Sequence, residues 1–429
     1  MIDIKASDKA CNRFVLFSIV YMLITAFLLD TPAEIWEGMK RIVISRDALI
    51  TDYFVIGGYG AAFFNAAMVM LIEYVMLIYE KVHFTGLTLA AIFINAGLGL
   101  FGKNPVNILP ILIGTYIYAV AHHTKMNRYI YTAMFGTCLS PFVTEMVYAL
   151  PFHIWINCIL AVAVGIIIGF VLPPLSAHTA TMHMGYNLFN VGFSAGIIAF
   201  VLVCVLQSVG IEPKTVLIWQ EKTPVWLYLW LIGFFAAAFA YGDHLNGGDL
   251  KKALKVMRHP GRAVADFVLM DGAGSTFVNM SLVGFAGLIY IFFIDGDLSG
   301  PVVGAMLTAF GFAAFGAHPK NYLPILFGVY LSTFFNKFGA TTPALQLAAM
   351  FAVGVAPIAG QFGVVAGLFA GALHVAIVTC TSSMYGGLNL YNNGFSCGWV
   401  AIFMVPLLES FIKRYELKKM KKAERKAKG

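Results

Sequence analysis

Two carboxylates stand inside apolar runs of this chain. Glu73 lies in MVMLIEYVMLIY, and Glu145 lies in SPFVTEMVYAL, four residues after Pro141. A carboxylate among such neighbours is costly unless it is protonated, paired or bound to a cation. Its natural chemistry is therefore to load and release a proton or Na⁺. Close to a membrane surface the same side chain can instead snorkel to water. Neutral polar chemistry comes from asparagines. Asn107 lies between Pro105 and Pro110, and Asn321 between Pro319 and Pro324. Two prolines five residues apart remove backbone donors and resist a continuous helix. The freed carbonyls need partners, which amides, water or a solute can supply. An amide both donates and accepts, which suits an uncharged polar solute or a hydrated ion, and it equally serves a broken backbone.

These clusters are duplicated. Phe101–Tyr116, FGKNPVNILPILIGTY, returns 214 residues later as Phe315–Tyr330, FGAHPKNYLPILFGVY, with ten of sixteen positions identical. Gly185–Gly196, GYNLFNVGFSAG, returns as Gly387–Gly398, GLNLYNNGFSCG, with eight of twelve identical. It carries Asn187 and Asn190 in the first copy and Asn389 and Asn392 in the second, and an NxxN spacing sets both amides on one helical face. That face can line a polar path or hold two helices together. A third pair, Asp52–Asn65 and Asp266–Asn279, shares Gly58/Gly272, Gly60/Gly274 and Asn65/Asn279, and reads as a small-residue packing face. The acids break this symmetry, because the partners of Glu73 and Glu145 are Gly287 and Gln361. A polar, helix-breaking cluster repeated in both halves of an apolar chain points to a transporter site at a repeat interface.

The elements that must hold these residues are membrane helices. The chain has 429 residues, 60% hydrophobic and 11% charged, which excludes a soluble globular protein. Apolar segments fall near 14–30, 57–80, 84–102, 107–121, 128–148, 153–173 and 186–210. The second half repeats them near 223–241, 271–294, 299–316, 322–336, 343–359, 361–378 and 388–411. The short pieces at 84–121 and 299–336 either cross or re-enter. The expected fold is all-α and polytopic, with two repeats of about seven segments, 1–210 and 223–411, joined by an external linker at 211–222 and followed by a basic cytoplasmic tail at 412–429. An odd number of segments per half inverts the second repeat. With the N-terminus inside, inner segments hold 21 Lys and Arg and outer segments, Lys103 among them, hold 7. That bias puts both termini in the cytoplasm, Lys251–Arg262 inside and Glu34–Asp47 outside, in a plasma or bacterial inner membrane.

The net charge of +7 does not indicate nucleic acid, because nine bases are gathered between Lys413 and Lys428 with Tyr415 the one aromatic among them. The run Phe14–Leu29 ends without a small-residue cleavage site and reads as a retained helix. The six cysteines form no CxxC pair, and no HExxH, Walker or nucleophile-elbow motif is present, so neither a metal, a cofactor nor an enzyme is expected. His178, His183, His318 and His374 read as satisfied core imidazoles or proton relays.

The whole chain resembles a family of prokaryotic multi-pass membrane proteins catalogued as a domain of unknown function, which implies no activity. More locally, the duplicated Gly-x-Asn/His-Pro stretch, the Leu139-Ser140-Pro141 turn and Leu150-Pro151-Phe152 resemble elements of urea transporters. That resemblance implies two inverted repeats of helices around a pore, although this chain has additional spans and Glu145. The expected function is transport of a small polar solute, with Glu145 or Glu73 as the site of coupling to a proton or Na⁺. A passive channel of urea-transporter type and a membrane-embedded enzyme using His178, His183 and the acids are the alternatives. The expected partners are the solute and the lipid bilayer, with a homo-oligomer compatible with the sequence.

Overall fold

The computed structural model describes residues 3–427, with side chains described as far as Arg414, so the expected basic tail is described as backbone to Ala427 and as side chains only at its start. The first half comprises α1 (Ile4–Leu29), α2 (Pro32–Ile44), α3 (Tyr59–Tyr79), α4 (Gly86–Leu98), α5 (Pro105–Ala121), α6 (Ile130–Gly136), α7 (Ser140–Ala149), α8 (Ile154–Met182) and α9 (Asn190–Ser208). The second half comprises α10 (Val225–Leu245), α11 (Phe267–Phe293), α12 (Gly300–Phe312), α13 (Pro319–Ser332), α14 (Pro343–Phe351), α15 (Ala356–Phe362), α16 (Val364–Thr381) and α17 (Asn392–Ala427). Every apolar segment expected from the sequence coincides with one of these helices or with a short consecutive pair. Nine helical segments among the described residues are long and apolar enough to cross a membrane. The helices α4 and α12, of 13 residues each, reach only about 20 Å, short of a hydrocarbon core of roughly 30 Å.

These two short helices form the centre of the molecule and run antiparallel. Gly86, at the start of α4, lies against the carbonyl of Ala314 just past the end of α12, and Gly300, at the start of α12, lies against the carbonyl of Leu100. Near the C-terminal end of α4, Gly97 and Gly304 touch so closely that a Cβ on either would strike the other's carbonyl oxygen. Their N-termini are capped by exchange between the halves. Asp266, at the head of α11, accepts from the Gly86 and Leu87 N–H groups at 2.9 and 3.2 Å. Asp52, in the first half, accepts from the Gly300 N–H at 3.1 Å. A carboxylate at a helix N-terminus satisfies orphan donors and the positive end of the dipole together.

The C-terminal ends of the short helices are held by the duplicated amides. The Asn65 Nδ2 donates to the Gly99 and Lys103 carbonyls at 2.6 and 2.7 Å, and Asn279 donates to Ala313 and Ala317 at 2.7 and 2.8 Å. The third duplicated cluster thus serves the backbone of its neighbour as well as packing. Around α4 and α12, the first turns of α9 and α17 cross where Gly192 meets Gly394. The expected linker is tied to the first half: β2 (Leu217–Ile218) pairs in parallel with β1 (Ile50–Thr51), and the Gln220 N–H donates to Asp52 at 3.0 Å.

Candidate functional site

The proline–asparagine breaks are closed by their own side chains. Pro105 and Pro319 occupy the first turns of α5 and α13, where a missing N–H costs nothing. Asn104 and Asn107 form a reciprocal capping box, and His318 and Asn321 form the equivalent one. The remaining donors of Asn107 and Asn321 go to the Gly102 and Gly316 carbonyls, at 3.1 and 3.0 Å. Because α4 and α12 are antiparallel, these two breaks stand at opposite ends of the short-helix pair, and the two asparagines share no partner. Only Asn107 has a further role: it donates to Asp47 at 3.0 Å, as do Thr144 at 3.0 Å and the Tyr53 hydroxyl at 2.7 Å. In the second copy Gly261 stands where the first has Asp47. Asp47 lies in the connection between α2 and β1, and burial pushes its carboxyl up to about 7 against the pull of those donors.

The two acids have different surroundings. Glu145, on α7, is gripped by Arg46, whose Nε and Nη2 reach its carboxylate oxygens at 3.0 and 3.3 Å. That carboxylate is compensated and its partner is partly exposed, so the charge has a fixed counter-ion. Glu73, on α3, is fully buried, and neither of its oxygens has a hydrogen-bond partner. Its counter-charge is Lys103. Counting Lys103 among external loop residues was wrong: it is completely buried, because the turn between α4 and α5 folds back into the protein. The Lys103 Nζ donates to Asn95 on α4 and, at 2.6 Å, to Thr137 between α6 and α7. The second half has Gly287, Ala309 and Ala317 at the positions of Glu73, Asn95 and Lys103, so this charged cluster belongs to one repeat alone.

The NxxN motifs build a third arrangement, twice over. Asn190 donates to the Ser176 carbonyl at 2.9 Å and accepts from Thr179 at 3.0 Å, and Thr179 also meets Ser194 at 2.7 Å. Asn392 repeats this with Val378, Thr381 and Ser396 at 3.2, 2.8 and 3.0 Å. A third neighbour completes each amide oxygen, His183 in the first copy and Tyr385 in the second. Asn187 donates across to the Gly394 carbonyl at 3.1 Å, whereas the equivalent Nδ2 of Asn389 has no partner. The motif is therefore helix–helix glue in both halves.

In the first copy it also faces space. A cavity of about 420 Å³ is lined by His183, Asn187 and Asn190 from the first half and by Phe312, Phe315 and Tyr391 from the second. Its mouth is at Gly185 and Val264, and Val264 is 82% exposed. No Asp, Glu, Lys or Arg is among the nineteen lining residues, and six are Phe or Tyr. The fully buried Tyr391 hydroxyl has no partner, and the Tyr391 side chain is in turn within electrostatic reach of Glu73. A polar cleft of about 560 Å³ near Asp3, Lys252 and Asp271 opens at the surface; Gly272 and Gly274 of the third duplicated pair line it, and none of the duplicated asparagines does. The residues sequence reasoning missed are Lys103, Asp47 and Tyr391. The signal available for each was its difference from the repeat partner: Lys103 against Ala317, Asp47 against Gly261 and Tyr391 against Phe189.

Long apolar helices, proline-broken half-length helices and a neutral cavity between duplicated halves together define a polytopic helical membrane protein. The chain belongs to the family described as "Protein of unknown function (DUF1576)", whose profile matches residues 31–208 and 246–410. No match was found among curated proteins or solved structures.

Proposed function

We propose that this protein is a carrier for a small polar solute, built from two inverted repeats, with Glu73 rather than Glu145 as its ion-coupling residue. The observation that carries the reading is the cavity of about 420 Å³ at the junction of the halves, lined by residues of both, in a protein whose one repeat carries a buried carboxylate, Glu73, without a hydrogen-bond partner. Substrate sites at repeat interfaces, beside interrupted helices, are how such transporters work. The antiparallel α4/α12 pair and the exchanged aspartate caps support inversion of the repeats. Both termini then lie on the side of the Lys251–Arg262 loop, which the positive-inside bias assigns to the cytoplasm of a plasma membrane.

A carrier fits better than an open channel because the two ends of the junction differ. The mouth at Gly185 and Val264 has as its repeat equivalent Gly387 and Ile50. There Pro213 packs on Gly386, and β2 of the linker covers β1. One end is open and its counterpart is covered, as an access-alternating protein requires. Catalysis is not part of this reading, since the cavity offers no paired acid, base or nucleophile. The test is solute uptake into liposomes under an imposed proton or Na⁺ gradient. Glu73→Gln should abolish uphill accumulation and preserve gradient-free counterflow; accumulation at the parental level in that variant would refute the coupling role.

A further inference from the structure

Helix α11 is interrupted near its start, at the same place as its counterpart in the first half. Gly272 leaves the helical region with φ 85° and ψ 160°, as Gly58 does with φ 90° and ψ 164° ahead of α3. The helix restarts at Ala273 and runs on to Phe293, so the N–H groups of its new first turn have no intrahelical acceptor. In the first half the chain itself supplies an anion for such a donor: the Gly60 N–H donates to the Asp30 carboxylate at 2.7 Å. Asp30 caps the end of α1, and the residue that caps the end of α10 is Asn246. Their places in space also correspond. A Cβ on Gly60 would meet Asp30 Oδ2 and the Ala26 carbonyl, and one on Gly274 would meet Asn246 Oδ1 and the Gly242 carbonyl. Asn246 carries no charge. Among the described residues its oxygen receives the Ser275 hydroxyl, at 3.5 Å, and no backbone N–H.

The space beside the break changes in the same sense. In the first half it is lined by Asp30, Glu34, Glu37 and Arg41, and Arg41 is spent on the Ile56 and Gly57 carbonyls at 2.9 and 3.1 Å. In the second half it is the polar cleft of about 560 Å³, lined by Asn246, Gly272, Gly274, Ser7, Lys252 and Lys255. Lys255 stands at the repeat position of Arg41, and neither it nor Lys252 makes an ion pair among the described residues. Two carboxylates also line the cleft, and each has a partner of its own. Asp3 caps α1 through the Ala6 N–H at 3.0 Å, and Asp271 is bound by His259 at 2.8 Å. Ser7 is only 8% exposed and receives the Ala273 N–H at 3.4 Å. Its own hydroxyl proton has no acceptor among the described residues. A buried hydroxyl donor without a partner is costly, and a ligand that accepts from it recovers the cost.

We propose that this cleft binds a phosphoryl-bearing anion at the place that Asp30 fills in the first half. The N–H groups of Gly274 and Ser275 and the Ser7 hydroxyl hold its oxygens, and Lys252 and Lys255 supply the counter-charge. A helix N-terminus with lysines beside it suits phosphate chemistry. A soluble phosphate and the headgroup of an anionic phospholipid present the same group to these donors, and basic pockets at the ends of membrane helices take such headgroups. The site is separate from the cavity of the transport reading and stands whether or not a solute is carried.

Thermal unfolding of the full chain separates the two sources. One arm compares inorganic phosphate at millimolar concentration with chloride at equal ionic strength, in a neutral detergent. The other compares phosphatidylcholine discs with and without phosphatidylglycerol. An upward shift in the first arm assigns a soluble phosphate, and a shift in the second arm alone assigns the lipid. Asn246→Asp restores the carboxylate of the first half. It should raise the melting temperature of the unliganded protein and weaken the active anion about tenfold, or about 1.4 kcal/mol. Lys252→Gln with Lys255→Gln should weaken the anion comparably and leave the unliganded melting temperature without that gain. No shift in either arm would overturn the proposal. So would a shift that either variant retains in full, since a general salt or bulk-lipid effect does not depend on these residues.

Discussion

The buried pair of Glu73 and Lys103 allows the sharpest test, because the second repeat shows what the site looks like without it. Replacing Lys103 with Met removes the ammonium and leaves the Glu73 carboxylate buried with no counter-charge. The hydrogen-bond losses are small: Thr137 lies 3.2 Å from the Asn95 oxygen and can donate to it once Lys103 has gone. The charge effect therefore dominates; breaking a directly bonded buried pair from one side costs about 3–5 kcal/mol, and this pair, coupled through space without a direct bond, should fall near the lower end, about 3 kcal/mol. Replacing Glu73 with Leu in the same molecule should recover most of that loss, since the equivalent Gly287 lies in a fully apolar setting beside Met306 and Met350. The double variant should fall within about 1 kcal/mol of the parent, a coupling of about 2 kcal/mol. Denaturant unfolding in detergent, followed by circular dichroism, measures all four corners of this cycle. Equal costs for Lys103→Met with and without Glu73→Leu would mean that the two charges do not see one another, and the cluster would lose its place in the mechanism.

Glu145→Gln should leave gradient-driven accumulation intact and cost no more than about 1 kcal/mol, because Arg46 is partly exposed and can turn to solvent; lost accumulation would return the coupling role to Glu145. Asn279→Leu strands the Ala313 and Ala317 carbonyls at about 1–3 kcal/mol each, and should lower the melting temperature. Asp47, raised from 3.8 to about 7, favours the folded state at low pH, so stability should decline as pH rises through that window. Asp47→Asn should flatten this slope, which a series of melting curves at stepped pH would reveal. In a cysteine-free background, Glu37→Cys and Lys255→Cys should react with an impermeant maleimide from opposite sides of the membrane, and labelling from one side would contradict inverted repeats.

The helices were legible because hydrophobic length is a local property. FGKNP and FGAHP contain Gly and Pro where α4 and α12 stop, and Asp30-Thr31-Pro32 closes α1, so the segments found by composition reappear as helices. The roles of the polar residues were harder to read, because they depend on what arrives from elsewhere. Lys103 sits among turn residues and resembles a loop cation, yet the turn folds back so that Asn95 on the preceding helix and Thr137 from a later segment receive it. Asn107 and Asn321 look like a shared pair in a linear repeat, but the antiparallel packing of the halves carries them to opposite ends. Glu145 looks as isolated as Glu73 until Arg46, ninety-nine residues earlier, reaches it. Identity between repeats marks the scaffold here, and the difference between them, at Tyr391 against Phe189 or Lys103 against Ala317, marks what one half does alone.

The exchanged aspartate caps bear on how such a chain can be assembled. Asp266 completes a helix that belongs to the first half, and Asp52 completes one that belongs to the second. Neither half satisfies every N–H at the head of its own central helix: Ser299 takes the Val302 N–H, but Gly300, Gly86 and Leu87 depend on the other half, and in lipid such donors have no water to turn to. A chain severed within 211–222 should therefore yield two fragments that are degraded when made separately and recovered together when co-expressed. The same reciprocity would be met by two identical half-length chains inserted in opposite senses, each lending the other its aspartate. Fusion of such a pair would free one copy to lose its charges and the other to keep them, which is the division that Glu73 and Gly287 display.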